Sequence, residues 1–190
     1  MVGALGIVIL AAGSSRRFGP ENKLASTYKD KPLLQYSLAC AQELHAQERV
    51  LVTGHEAETV RQIATGFTGT FIHNPDHASG MGASIACGVG ALSPDIQTII
   101  ILLGDMPDIT PAFCNTLIEA YNGKITRPVC QGKPGHPVIF PARFRFELEQ
   151  LSGDKGAVSF MKNHTQDIQL IATHDPACLR DIDYSSSKTI

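Results

Sequence analysis

The 190-residue chain contains no Cys-x-x-C pair, and its five cysteines (Cys40, Cys87, Cys114, Cys130 and Cys178) are an odd number. A disulfide framework and a thiolate zinc site are therefore not expected, and buried free thiols in a reducing compartment are. No apolar run is long enough to cross a membrane, and no basic n-region leads into a cleavable apolar stretch. A cytoplasmic location without a membrane partner is the expectation. The net charge is only −2, so no broad basic surface argues for nucleic acid. The Gly-Lys-Ser/Thr ending of a Walker loop is missing, and so is the Gly-x-Gly-x-x-Gly dinucleotide fingerprint. No internal repeat, low-complexity tract or long linker divides the sequence. Residues 1–190 are read as one domain, long enough to bury a sizeable core.

Apolar runs alternate with helix-like stretches, which predicts βαβ units and a largely parallel sheet. Strands are expected at Leu5–Leu10, Val50–Thr53, Thr70–His73, Thr98–Leu103, Ile125–Val129, Val138–Phe140 and Asp167–Ala172. Helical spacing follows Pro32, runs over Glu56–Ala64, begins again at Met81, and starts at Pro111 with Thr110 as its N-cap. Two further helices are expected at Arg143–Gln150 and Lys155–Lys162. The polar tail from Ser185 reads as a frayed end.

The first strand runs into Leu10-Ala-Ala-Gly-Ser-Ser-Arg-Arg-Phe-Gly19, with Lys23 close behind. Small residues let the backbone turn tightly and aim several N–H groups at one point, which suits phosphate oxygens. Arg16, Arg17 and Lys23 add positive charge matched to a small anion. A second candidate, Asp105, stands in Gly104-Asp-Met-Pro107 just past the apolar strand 98–103. Open α/β sheets bind ligands at that edge, and a hard divalent ion such as Mg²⁺ favours carboxylate and phosphate oxygens. An Asx-turn is the bland alternative for such an aspartate. A third segment, His77-Ala-Ser-Gly-Met-Gly-Ala-Ser84, offers Ser79, Gly80 and Ser84 for a base edge and ribose, or else an ordinary helix start. His136 differs from the other histidines in sitting in a rigid Gly135-His-Pro137 loop. Asp181 and Asp183 share one face if their segment is extended.

Together these segments resemble the nucleotidyltransferases that activate a small phosphorylated molecule with a nucleoside triphosphate. Gly-His-Pro before an apolar strand, and Leu151-Ser-Gly-Asp-Lys-Gly-Ala157, resemble one MobA-like branch, the molybdenum cofactor cytidylyltransferases. The resemblance implies a three-layer α/β/α sandwich, Rossmann-like, of the nucleotide-diphospho-sugar transferase type. It implies that Leu10, Ala11, Ala12, Gly13, Ser14, Ser15 and Arg16, with Ser79, Gly80 and Ser84, bind the nucleotide. Arg17, Lys23 and Asp105 would be catalytic, and Gly135, His136, Pro137 and Asp154 would border the second substrate. Mg²⁺, with Mn²⁺ as the alternative, would sit on Asp105 and Asp183, and Asp181 could replace Asp183. Tyr184 stands where relatives carry threonine, and the following Pro-x-Asp is absent. Leu-Ala-Ala-Gly in place of Leu-Ala-Gly-Gly leans toward CTP over GTP, because the Ala12 methyl would disfavour a purine. The implied partners are CTP and molybdenum-bound pyranopterin, with transient contact to a molybdoenzyme or its chaperone. Another nucleotide or acceptor, or a noncatalytic cofactor carrier, stays open as an alternative.

Overall fold

The computed structural model describes residues 2–14, 18, 22–154 and 156–182. Strand β1 (Leu5–Ala11) leads through a small hairpin, β2 (Thr27–Tyr28) and β3 (Lys31–Pro32), into helix α1 (Leu33–Glu43). Two βα units follow: β4 (Glu48–Thr53) with α2 (Ala57–Ile63), then β5 (Thr70–His73) with α3 (Met81–Gly90). β6 (Thr98–Leu103) precedes α4 (Pro111–Ala120), where the Thr110 side chain accepts the Phe113 amide as N-cap. β7 (Ile125–Cys130), a short β8 (Lys133–Pro134) and β9 (Val138–Pro141) come next. The chain closes through α5 (Arg145–Glu149), α6 (Val158–Asn163) and β10 (Ile168–Thr173).

Along the main sheet the order is β10-β7-β9-β6-β1-β4-β5, with β8 paired to β7. β1 is parallel to both β4 and β6, whereas β9 runs antiparallel to β6 and β7. From β1 the chain first builds outward through β4 and β5, then crosses to β6 on the other side. This reversal leaves a crevice beyond the carboxyl ends of β1 and β6, the usual ligand position in an open α/β sheet.

The strands at this switch point are apolar on both faces because helices cover both. Ile7, Ile9, Leu51, Ile100 and Leu102 pack with residues of α1, α2 and α4 on one side. Val8, Val50, Val52, Ile99 and Ile101 pack with residues of α3, α5 and α6 on the other. The result is the expected three-layer α/β sandwich. Each fully buried Ile or Leu contributes roughly 1.5–3 kcal/mol, so the two strands that carry the site are held from both sides. Arg49 and Arg145 are structural cations. Arg49 caps the end of α1 through the Ala41 and Leu44 carbonyls, and Arg145 binds the Leu92 and Ser93 carbonyls after α3.

The structure departs from the sequence expectations in detail. The stretch expected as one helix from Arg143 is a 3₁₀ turn, Ala142–Phe144, followed by the short α5. The helix expected from Lys155 begins at Val158. Free thiols are found at all five cysteines, with Cys87 only half-buried. No described helix is long and apolar enough to cross a membrane.

Candidate active site

A cleft of about 490 Å³ opens at the switch point. Leu10, Ala11, Ala12, Gly13 and Ser14 form its floor where β1 ends. Gly104 continues the ladder by one bond, its N–H donating to the Leu10 carbonyl at 2.9 Å. A Cβ on Gly104 would lie 2.9 Å from that oxygen and 3.0 Å from Leu34 Cδ1, so only glycine lets the two strand ends close up here. Asp105 is thereby brought beside the β1 loop.

Lys23 reaches the same point from a 3₁₀ turn that Asn22 caps, Asn22 Oδ1 accepting the Leu24 amide at 2.9 Å. Lys23 Nζ donates to Asp105 Oδ2 at 2.6 Å, with the two side chains only 10% and 23% exposed. Withdrawing such a pair from water costs desolvation energy on both ions. Its chemical use is clear: an ammonium and a carboxylate are presented together at one end of the cleft. Asp181 lines the same end, and the Ile182 amide donates to the Asp105 carbonyl at 3.1 Å. The tail thus returns to the strand end that carries Asp105. Asp183, Ser15, Arg16 and Arg17 lie outside the described residues.

The opposite wall is built locally. Asn74 is buried; its Nδ2 donates to Ser84 Oγ at 3.1 Å and its Oδ1 accepts the Asp76 amide at 2.9 Å. Ser84 is thereby fixed on the cleft wall, together with His77, Ala78, Gly80 and Met81. Gly80 has φ +112°, and a Cβ there would lie 2.5 Å from the Asp154 amide nitrogen. The Gly82 amide donates to the Gly153 carbonyl at 2.9 Å. These contacts seat the 152–154 loop against the start of α3 and put Asp154 on the cleft wall.

Two expected positions are placed elsewhere. Ser79 is exposed and turns its hydroxyl back to the Asp76 carbonyl at 2.5 Å, closing the 3₁₀ turn, and does not line the cleft. Gly135-His136-Pro137 is not on the cleft wall either. The Gly135 amide donates to the Pro128 carbonyl at 2.9 Å, the Gly135 carbonyl accepts Arg127 Nη2 at 3.0 Å, and the His136 amide donates to the Cys178 carbonyl at 2.9 Å. The loop is thereby braced between β7 and the 3₁₀ turn at 176–179, near enough to Asp105 for its charge to act on His136. His136 Nδ1 is buried without a hydrogen-bond partner, and the ring borders a small void with Ser37, Leu103 and Pro137. Burial first, then the Arg127 guanidinium, push its pKa down to about 4, against the pull of Asp105.

His77 was not among the expected nucleotide contacts. It lies in the same loop as Ser79, and the 3₁₀ turn places His77 on the cleft wall while Ser79 bonds back to Asp76. Among the described residues no group of three or more His, Cys, Asp or Glu could hold a metal by itself. The carboxylates that line the cleft include Asp105 and Asp181, and hard oxygen donors of this kind suit an ion that takes one or two carboxylates and completes its shell with water and phosphate.

A switch-point cleft with a glycine-containing β1 loop, a lysine and a strand-end aspartate defines a nucleotide-handling α/β enzyme. Residues 7–168 match the family described as the MobA-like NTP transferase domain, and the chain belongs to that family of nucleotidyltransferases. The molybdenum cofactor cytidylyltransferase of Escherichia coli K12 is 31% identical over 139 residues, 72% of this chain and 69% of that protein. The nicotine blue oxidoreductase of Paenarthrobacter nicotinovorans is 26% identical over 93% of this chain and 90% of its own. Rv0371c of Mycobacterium tuberculosis H37Rv superimposes with a TM-score of 0.84 at 25% identity, covering 97% of this chain and 95% of its own. A structure of Rv0371c in complex with manganese gives a TM-score of 0.73 at 23% identity, over 90% of this chain and 88% of its own.

Proposed function

We propose that the protein transfers CMP from CTP to the terminal phosphate of the molybdenum-bound pyranopterin and releases pyrophosphate. The observation that carries this reading is the Lys23–Asp105 ion pair beside the β1 loop. It is supported by the likeness to the E. coli cytidylyltransferase. In the reaction, a phosphate oxygen of the pterin bonds to the α-phosphorus of CTP while the bond from that phosphorus to the β-phosphate bridging oxygen breaks. A phosphate monoester is largely ionised near neutral pH, so no general base is needed and the enzyme works by position and charge.

Lys23 would neutralise the triphosphate and the departing pyrophosphate, aided by backbone amides of residues 11–15. Arg17, with Arg16 as helper, takes the same role on the strength of the sequence motif. Mg²⁺, or Mn²⁺ in its place, would be held by Asp105 with Asp181 or Asp183, and when bound it offsets phosphate charge. The Ala12 methyl on the cleft floor supports a pyrimidine over a purine. Ser84, Gly80 and His77 would face the base and ribose, and Asp154 would border the acceptor. His136 would stand near Asp105 in the braced loop instead of touching the acceptor.

The test is pyrophosphate release with molybdenum cofactor and Mg²⁺, comparing CTP with GTP. Release with CTP alone is expected. Release with GTP alone keeps the chemistry and overturns the role of Ala12. Pterin binding without release from either nucleotide favours a carrier. An oxidoreductase, as one relative is named, would also release none.

A further inference from the structure

We propose that Asp108, outside the cleft, is a positioning residue that holds the Asp105–Asp181 face in register for a divalent cation. The inference rests on the proposed nucleotidyltransferase reading. Asp108 does not line the cleft, yet its carboxylate collects donors from two distant segments. Its Oδ1 accepts the Tyr28 hydroxyl at 2.9 Å and Lys29 Nζ at 3.3 Å, and its Oδ2 accepts Arg180 Nη1 at 3.0 Å. The carboxylate is 16% exposed, whereas Lys29 and Arg180 are 62% and 54% exposed. Exposed ion pairs contribute little to stability, so the value of this arrangement lies in what it orients.

Each segment that Asp108 ties down carries a charged residue of the cleft. Tyr28 and Lys29 belong to the β2–β3 hairpin, five residues beyond Lys23. The hairpin is fixed in turn by the Tyr36 hydroxyl, which donates to the Tyr28 carbonyl at 2.8 Å. Arg180 immediately precedes Asp181. The tail is therefore pinned on both sides of Asp181: through the Arg180 side chain to Asp108, and through the Ile182 amide to the Asp105 carbonyl. Both ties act on the stretch of backbone that carries Asp181. Asp108 is three residues past Asp105, in the next of two consecutive turns that share Met106, closed by the Met106 amide on the Leu103 carbonyl and the Ile109 amide on the Met106 carbonyl, so a short, doubly closed segment links the two carboxylates. Partners that orient metal-ligating groups typically matter by 10–100-fold in metal affinity.

The experiment is Mn²⁺ titration of the full chain, without nucleotide or pterin, followed by loss of the free-ion EPR signal. Asp108→Ala and Arg180→Ala should each raise the Mn²⁺ dissociation constant about tenfold. The double variant should be no weaker than either single one, because both cut the same tie. Lys29→Ala, which leaves the tail attached, should stay within about twofold. Hydrogen exchange should show faster exchange at residues 177–182 in Asp108→Ala but not in Lys29→Ala. Asp108→Asn, which keeps shape and the Tyr28 contact, guards against a folding failure and should show the same direction of change. Unchanged Mn²⁺ affinity in Asp108→Ala and Asp108→Asn, with affinity lost in Asp105→Ala, would overturn the role of Asp108 and leave the nucleotidyltransferase reading standing. Additive losses in the double variant would overturn it too. No Mn²⁺ binding by the unmodified chain overturns the positioning role, while pyrophosphate release, measured separately, decides the fate of the reaction.

Discussion

At one end of the cleft, Lys23, Asp105 and Asp181 meet from distant parts of the chain; the Lys23–Asp105 hydrogen bond alone spans 82 residues. At the other end, His77, Gly80 and Ser84 come from one loop and the helix start that follows it. The first end is assembled by the whole fold and holds opposite charges in a half-buried place. The second is assembled by local turn chemistry and a single buried asparagine. Under the proposed reaction, the first end would meet the charge that develops on the transferring phosphates, and the second would read the identity of the nucleotide. Substitutions at the two ends should therefore fail differently: the charged end in turnover, the local end in binding.

The largest effect is expected for Asp105→Asn. The amide keeps an acceptor for Lys23 but removes the carboxylate charge, and pyrophosphate release should fall about 10³-fold. The melting temperature should move by only a few degrees. An Asp105→Asn enzyme that keeps its turnover and only loses nucleotide affinity would erase the contrast between the two ends. Next, His77→Ala should raise KM for the nucleotide about tenfold and change kcat less than twofold, in steady-state pyrophosphate assays. A fall in kcat with unchanged KM would move His77 to the reacting end. Ala12→Gly probes the floor between the ends. Removing one methyl should shift the CTP-to-GTP ratio of kcat/KM about fivefold toward GTP, since a single methyl discriminates weakly. An unchanged ratio would free nucleotide choice from Ala12 and assign it to the 77–84 wall alone.

How much of this was legible in the sequence follows the same division. The first strand, the strand before Asp105 and the Thr110 cap are local patterns, and each lies where the pattern put it. The β2–β3 hairpin escaped because two-residue strands have no periodicity to read. The reversed direction of β9 escaped because an apolar run carries no sign of whether it pairs parallel or antiparallel. Hydroxyl chemistry suggested Ser79, but the 3₁₀ turn directs its side chain back to Asp76 and it is His77 that lines the cleft. Asp108 and Arg180 were silent because their meaning is a contact across 72 residues. Gly135-His136-Pro137 reads equally as a ligand loop or a brace, since both need a stiff backbone. Only the bonds to Pro128, Arg127 and Cys178 decide its place here.

The smallest effect concerns that brace and is a matter of stability, not turnover. In the folded chain His136 has a pKa pushed down to about 4, chiefly by burial and then by Arg127. In the unfolded chain a histidine titrates near 6.5. Between those values the unfolded state takes up a proton that the folded state refuses, so stability falls as pH drops from about 6.5 toward 4. Above 6.5 the contribution is complete, and below 4 it stops changing. Full linkage would come to roughly 3.4 kcal/mol, and the partial exposure of the residue as a whole reduces the expected loss to about 1–2 kcal/mol. His136→Gln should flatten this limb of the stability–pH curve in urea titrations while leaving the limb set by the carboxylates at lower pH. Equal slopes in the two proteins between pH 6.5 and 4 would show that His136 takes up its proton freely. The loop near Asp105 would then be open to solvent, and the fold-built end of the cleft would be less rigid than its partner wall.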